Sequence, residues 1–152
     1  MLELTLMDFN GTVKSIEKIE VDIAANSSEI LLKREYQGFD PQTHLLRAVL
    51  TSDTGMLAQS IHYFVPVKEM DLRAAAVVQE VTPVGKGLQI RLTSDLLAKN
   101  VVLSCDVEGH FSDNYFDLIP NEPRIVHFIP ASTRDVPDDE FRILQLADVL
   151  AR

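Results

Sequence analysis

The sequence predicts an all-β protein built from antiparallel sandwiches. Three observations point there. Apolar and polar residues alternate with a period of two along most of the chain, turn-forming residues recur between the alternating runs, and no long segment repeats its apolar residues at helical spacing. Many short strands at regular intervals are the pattern of sandwiches and barrels, not of parallel sheets with helical crossovers.

The elements follow in order. In "LELTLM" Leu2, Leu4 and Leu6 share one face, and Glu3 and Thr5 the other. Asn10-Gly11 then supplies a tight hairpin turn. "IEVDIAA" offers Ile19, Val21 and Ile23 as the next apolar set, "NSS" from Asn26 to Ser28 turns the chain, and "EILLKREY" reads as a strand. Further strands are predicted at "HLLRAVLTS", "SIHYFVP", "AAVVQEVT", "LQIRLTS", "NVVLSCDV", "RIVHFIP" and "FRILQLADV". Turn chemistry separates them at Gly38 to Pro41, Asp53 to Gly55, Gly85 to Gly87 and Asn121 to Pro123. Two segments carry helical signals. "SDLLAKN" fits one turn capped by Ser94, and the last dozen residues fit either a strand, the preferred reading, or a helix with Asp138 as its N-cap.

A boundary is expected within "VPVKEMDLRAA", where Pro66 ends an aromatic strand and a charged stretch precedes a new one. It divides the 152 residues into domains 1–73 and 74–152. Both are small for sandwiches. The first starts directly on a strand at Leu2 and offers about six strands, so it is expected to lack an edge strand.

Composition bounds the function. Apolar residues make up 46% and charged residues 24%, a globular and not a disordered balance. A formal charge of −9 repels phosphate backbones and anionic bilayers, so neither nucleic acid nor membrane is an expected partner. No apolar run nears the ~20 residues that span a bilayer, and no signal-peptide pattern is read at the start. Cys105 is the single cysteine, which excludes an intrachain disulfide and a cysteine-based zinc cluster. Alternating with Val101 and Leu103, it reads as a buried core thiol, in surroundings that lack the positive charge a reactive thiolate needs.

The densest run of chemistry is "GHFSDNYFDLIP", Gly109 to Pro120. Asp106, Glu108, Asp113 and Asp117 lie close in sequence, yet retaining glycoside hydrolysis needs two opposed carboxylates about 5 Å apart. They also need a concave, partly desolvated site that a small sandwich rarely supplies. The same residues lack the regular oxygen spacing of a calcium loop. "VGKGLQ" is a hairpin turn and not a phosphate loop, and His44, His62, His110 and His127 show no metal-ligand spacing. Ser60 and Ser112 lack a nucleophile's context. No catalytic residue, metal ligand or cofactor is therefore assigned. Asp113 and Asn114 are expected to hold a turn through backbone hydrogen bonds, around which Phe111, Tyr115 and Phe116 act as large anchors. The competing expectation makes His110, Phe111, Ser112, Asp113, Asn114, Tyr115 and Phe116 a docking or sugar-contacting lip.

Thr93 to Pro130, through "LAKNV", "FSDNYFDL" and "NEPRIVHF", closely resembles the C-terminal immunoglobulin-like domain of glycoside hydrolase family 2 β-mannosidases. In that family glycine usually precedes the glutamate of the turn. Here Asn121 stands there, and Asn tolerates left-handed backbone angles. The first half, ending "SIHYFVPVKEMDL", resembles the preceding sandwich domain. The resemblance implies two immunoglobulin-like domains in tandem, without the (β/α)₈ barrel that carries both catalytic glutamates in the family. The parent enzyme would remove terminal non-reducing β-D-mannose from β-mannosides with retention and without a cofactor. The chain's partners would be that barrel and the other domains of the enzyme, with β-mannoside oligosaccharides as candidate ligands. Two alternatives stand beside this reading: a carbohydrate-binding module, although the chain has no Trp, and an accessory domain of a related exo-enzyme such as an exo-β-glucosaminidase.

Overall fold

The computed structural model of the protein describes residues 1–23, 30–131 and 141–150. The chain divides into two compact units, Met1–Asp71 and Leu72–Arg152.

In the first unit, β1 (Leu2–Asp8), β2 (Val13–Ile19), β3 (His44–Ser52) and β4 (Gly55–Tyr63) form one antiparallel sheet in the order β2-β1-β3-β4. β1 is central in the sheet, and Leu4, Thr5, Leu6 and Met7 are all buried, so burial here does not follow the alternation. The β1–β2 hairpin turns at Asp8 to Thr12, as Asn10-Gly11 predicts. Gly11 sits at φ 84°, and the Asp8 carboxylate accepts from the amides of Asn10 (2.9 Å) and Thr12 (2.8 Å). Burial by itself would raise the Asp8 carboxyl, but these amide bonds outweigh it and hold the group below the usual carboxylate range.

Several expectations for this unit fail. The strand placed on "IEVDIAA" is displaced, because β2 ends at Ile19 and residues 20–23 are irregular. The strand predicted at "EILLKREY" is absent from Ile30 to Tyr36. There the chain is held by side chains instead: Arg34 pairs with Glu17, Lys14 donates to the Gly38 carbonyl, and Tyr36 and Phe39 pack on Phe64. Residues 30–36 pair with neither edge strand of the sheet, and pairing, not side-chain pattern, creates a strand. The turn at Asn26–Ser28, Ala24, Ala25 and Glu29 lie outside the described residues. Four strands are found among the described residues, where about six were expected.

The second unit is a two-layer sandwich. β5 (Val77–Val84), β6 (Gly87–Ser94), β10 (Arg124–Pro130) and β8 (Gly109–Phe111) form one sheet in the order β5-β6-β10-β8; β11 (Phe141–Leu144), β7 (Ala98–Cys105) and β9 (Phe116–Leu118) form the other, β11-β7-β9. Alternation turns Ile90 and Leu92 of β6 and Val126 and Phe128 of β10 inward. They meet Val101, Leu103, Phe116, Leu118 and Phe141 of the second sheet in one buried cluster. Gly109 is required here, because a Cβ at this position would come within 2.3 Å of the Phe128 ring.

β8 and β9 escaped the sequence reading, being three residues each. "SDLLAKN" forms no helical turn: Ser94 ends β6, the Asp95 carboxylate accepts from the Ala76 amide (2.7 Å), and β7 begins at Ala98. The C-terminal segment is neither alternative alone. It is the strand β11 followed by a short helix α1 (Leu146–Leu150), with Asp148 accepting from the Gln145 amide at its start. Asp138 lies outside the described residues. Cys105 packs against the core but is only half-buried, at the end of β7, and its sulfur accepts from the Val107 amide at 3.4 Å.

Candidate functional site

The segment from Gly109 to Pro120 crosses between the two sheets, leaving β8 in one and entering β9 in the other. A crossing interrupts both backbone ladders, so the stranded amides and carbonyls need side-chain partners. Asn114 supplies them. Its Nδ2 donates to the Leu103 carbonyl (2.9 Å) while its Oδ1 accepts from the Leu103 amide (2.8 Å), so one side chain imitates a paired strand residue. The same oxygen accepts from the Tyr115 amide (3.0 Å), and Asp113 accepts from the Asn114 amide (2.8 Å).

Each neighbour is engaged in turn. The second oxygen of Asp113 pairs with Arg124, whose guanidinium lies over the Phe116 ring at 4.4 Å. The Ser112 hydroxyl accepts from the His127 amide (2.9 Å), and the Ser112 amide donates to the His127 carbonyl (2.8 Å). Asp117 accepts from Lys99 (3.0 Å) and from the Asn100 amide (2.9 Å). That amide belongs to a bulge: Ala98 pairs with Leu118 but Val101 with Phe116, and Asn100 takes up the extra residue at φ 51°. The Lys99 and Asp117 side chains are only 12% and 14% exposed, so each charge depends on its neighbours for solvation.

The three aromatics of the segment part company. Phe116 is buried, and Phe111 is half-buried with its ring 4.8 Å from Phe128 and 6.1 Å from Phe141. Tyr115 is 75% exposed and stands at φ 61°. Left-handed backbone costs a residue with a side chain about 1–2 kcal/mol, and a bulky one in that region is an outlier. His110 is exposed on β8. Asn121, at φ 62°, does adopt the left-handed conformation expected where the family usually has glycine.

Chemically the segment offers engaged carboxylates. Asp113 faces Arg124 and Asp117 faces Lys99, so each negative charge already has a cation. Among the described residues no group of three or more His, Cys, Asp or Glu side chains gathers as a metal would need. Nucleophilic and acid–base roles call for a carboxylate facing an open, desolvated cleft, and these face their own sheet neighbours.

Residues that the strand pattern placed but gave no role carry much of this. Leu103, Asn100 and Arg124 hold the crossing through backbone groups and a ring face, which alternation cannot register. Lys99 and Arg124 did lie within "LAKNV" and "NEPRIVHF", so the resemblance marked them without a reason. Gln145 had no signal beyond being a polar residue between two leucines. Its buried amide donates to the Ala75 carbonyl (2.8 Å) and accepts from the Ala75 amide (3.1 Å), a second imitation of strand pairing.

Comparison with known proteins fits this construction. Residues 72–149 match the family model of the mannosidase Ig-fold domain, and residues 1–69 match a mannosidase Ig/CBM-like domain. Among solved structures the fold is similar to the β-D-mannosidase from Dictyoglomus thermophilum, with a TM-score of 0.80 at 22% identity. That match covers 95% of this chain but only 18% of the mannosidase chain. No match is found among curated proteins. The crossing segment "FSDNYFDL" and the bulge "LAKNV" lie inside the first of these matches. The chain belongs to the family of mannosidase Ig-fold domains, an all-β family in which a second immunoglobulin-like domain here precedes the first-named one.

Proposed function

We propose that the chain is a non-catalytic accessory region of a β-mannosidase, whose hydrolysis of terminal non-reducing β-D-mannose takes place on a catalytic domain outside this sequence. The observation that carries the reading is the engagement of the carboxylates that chemistry would need: Asp113 with Arg124, and Asp117 with Lys99 and the Asn100 amide. A retaining glycosidase requires one free nucleophilic carboxylate and one raised acid on opposite sides of a sugar. Both aspartates serve the crossing between sheets instead. The family match to mannosidase domains over both units supports the parent enzyme's class. The role follows: the paired domains pack beside the catalytic domain and stabilise it.

The test is an assay of the purified chain on an aryl β-mannoside, beside the same chain carrying Asp113→Asn. No turnover above buffer is expected from either. Turnover that Asp113→Asn abolishes would overturn the reading and make this cluster a catalytic site.

A further inference from the structure

We propose that Tyr115 is a contact residue for the ring of a neutral pyranose sugar. Three non-glycine residues in the described structure have left-handed backbone: Asn100, Asn121 and Tyr115. Asparagine tolerates that conformation, and Asn100 occupies it to form the bulge that Asp117 clasps. Tyrosine, with its bulky side chain, is disfavoured there. The conformation at 115 is imposed by the Asn114 clasp, which ties this crossing to Leu103 and receives the Tyr115 amide. Glycine or asparagine would serve the clasp better.

Nor does the Tyr115 side chain recover its backbone cost within the chain. It is 75% exposed, unlike Phe111 and Phe116 on either side of it, which pack into the core. Strained residues held by an over-determined surrounding gather where a side chain must be presented. Tyr115 presents a flat ring and a hydroxyl outward.

The neighbouring chemistry selects the ligand. A pyranose offers a patch of C–H groups on one face and hydroxyls around its rim. The Tyr115 ring suits the C–H patch. Two residues before it in the chain, Asp113 pairs with Arg124; both side chains are about two-fifths exposed, at 42% and 41%, leaving acceptor and donor positions for hydroxyls. A protein contact would need an apolar, water-excluding surround for the tyrosine, and the flanking Ser112, Asp113 and Asn114 are polar. The formal charge of −9 selects a neutral over an anionic sugar. This inference is independent of the catalytic question: the hydrolysis assay can fail or succeed without moving it.

The test is an NMR titration of the 152-residue chain with β-1,4-mannotetraose, in wild type, Tyr115→Gly and Tyr115→Phe. Amide and ring shifts confined to Ser112–Phe116 are expected in the wild type. Tyr115→Gly should weaken the titration at least about tenfold while its unfolding midpoint rises by about 4 °C, because the strain is gone. Tyr115→Phe should keep most of the response. Absence of sugar-dependent shifts at Tyr115, or a Tyr115→Gly protein that titrates like wild type, overturns the proposal. So does a lowered midpoint for Tyr115→Gly, which would make the side chain part of the fold. Self-association that Tyr115→Gly abolishes, without a sugar response, would assign the ring to a protein contact and equally overturn it.

Discussion

The two units solve one problem, burying apolar strands, by different means. The second closes two sheets over a shared core: among the described residues, six of the seven largest fully buried side chains lie there, Phe128, Ile90, Leu92, Leu118, Val101 and Val126, with Leu45 the one in the first. Among its described residues the first unit sets a single sheet against irregular chain carrying Tyr36 and Phe39. Its edge strands leave Val13, Ile16, Met56 and Leu57 exposed. A sandwich gives each inward side chain a rigid wall on both sides, whereas irregular chain can shift toward a void. Side-chain clasps follow the same division. In the second unit Asn114, Asp117 and Gln145 hold backbone groups across the fold; in the first, Asp8 caps a turn within its own hairpin.

The sharpest way to break that comparison is one chemical change made twice. Leu92 and Leu45 are both fully buried. Leucine-to-alanine changes cost about 2–5 kcal/mol, depending on how far the site collapses. Leu92→Ala should cost about 4–5 kcal/mol and Leu45→Ala about 2–3 kcal/mol in denaturant unfolding. Equal losses would show that both units are walled alike.

Next in size is Asp117→Ala. It strands the Asn100 amide and removes a carboxylate from beside the poorly exposed Lys99, so a loss of about 3 kcal/mol is expected. Lys99→Met with Asp117→Leu should recover part of it, since an apolar pair can replace a buried ion pair. Asn114→Ala should lose about 2 kcal/mol, as both Leu103 backbone groups go unpaired. Hydrogen exchange at the Leu103 amide should rise in that variant, and unchanged protection there would dismiss the clasp.

The smallest effect belongs to the first unit. Asp8→Ala removes two amide partners at a solvent-facing turn, about 1 kcal/mol. Because folding lowers the Asp8 carboxyl, its contribution is present in full above the unfolded value near 3.8 and is lost as pH falls through the lower folded value. Wild type should therefore lose its advantage over Asp8→Ala over the acid range, as pH falls below about 4. A gap between the two that is constant across that window would refute the assignment.

Period-two alternation by itself determined the all-β class and placed β3, β6 and β10 almost residue for residue and β5 within two residues, because one face buried and one face wet is a local requirement on each strand. Turn residues located the hairpins at Asn10-Gly11 and Gly85-Lys86 for the same reason: backbone angles are local. "GHFSDNYFDLIP" could be recognised as the segment where chemistry concentrates, and its resemblance named the family. Only the tertiary structure decided what that chemistry is for. "EILLKREY" has strand propensity but its described residues pair with no strand, and Gln145 is polar but replaces a strand partner for Ala75. Phe111, Tyr115 and Phe116 are chemically alike in sequence, and the crossing between sheets sends two inward and one out. Such outcomes depend on which backbone groups a distant part of the chain leaves unpaired, and no local pattern carries that information.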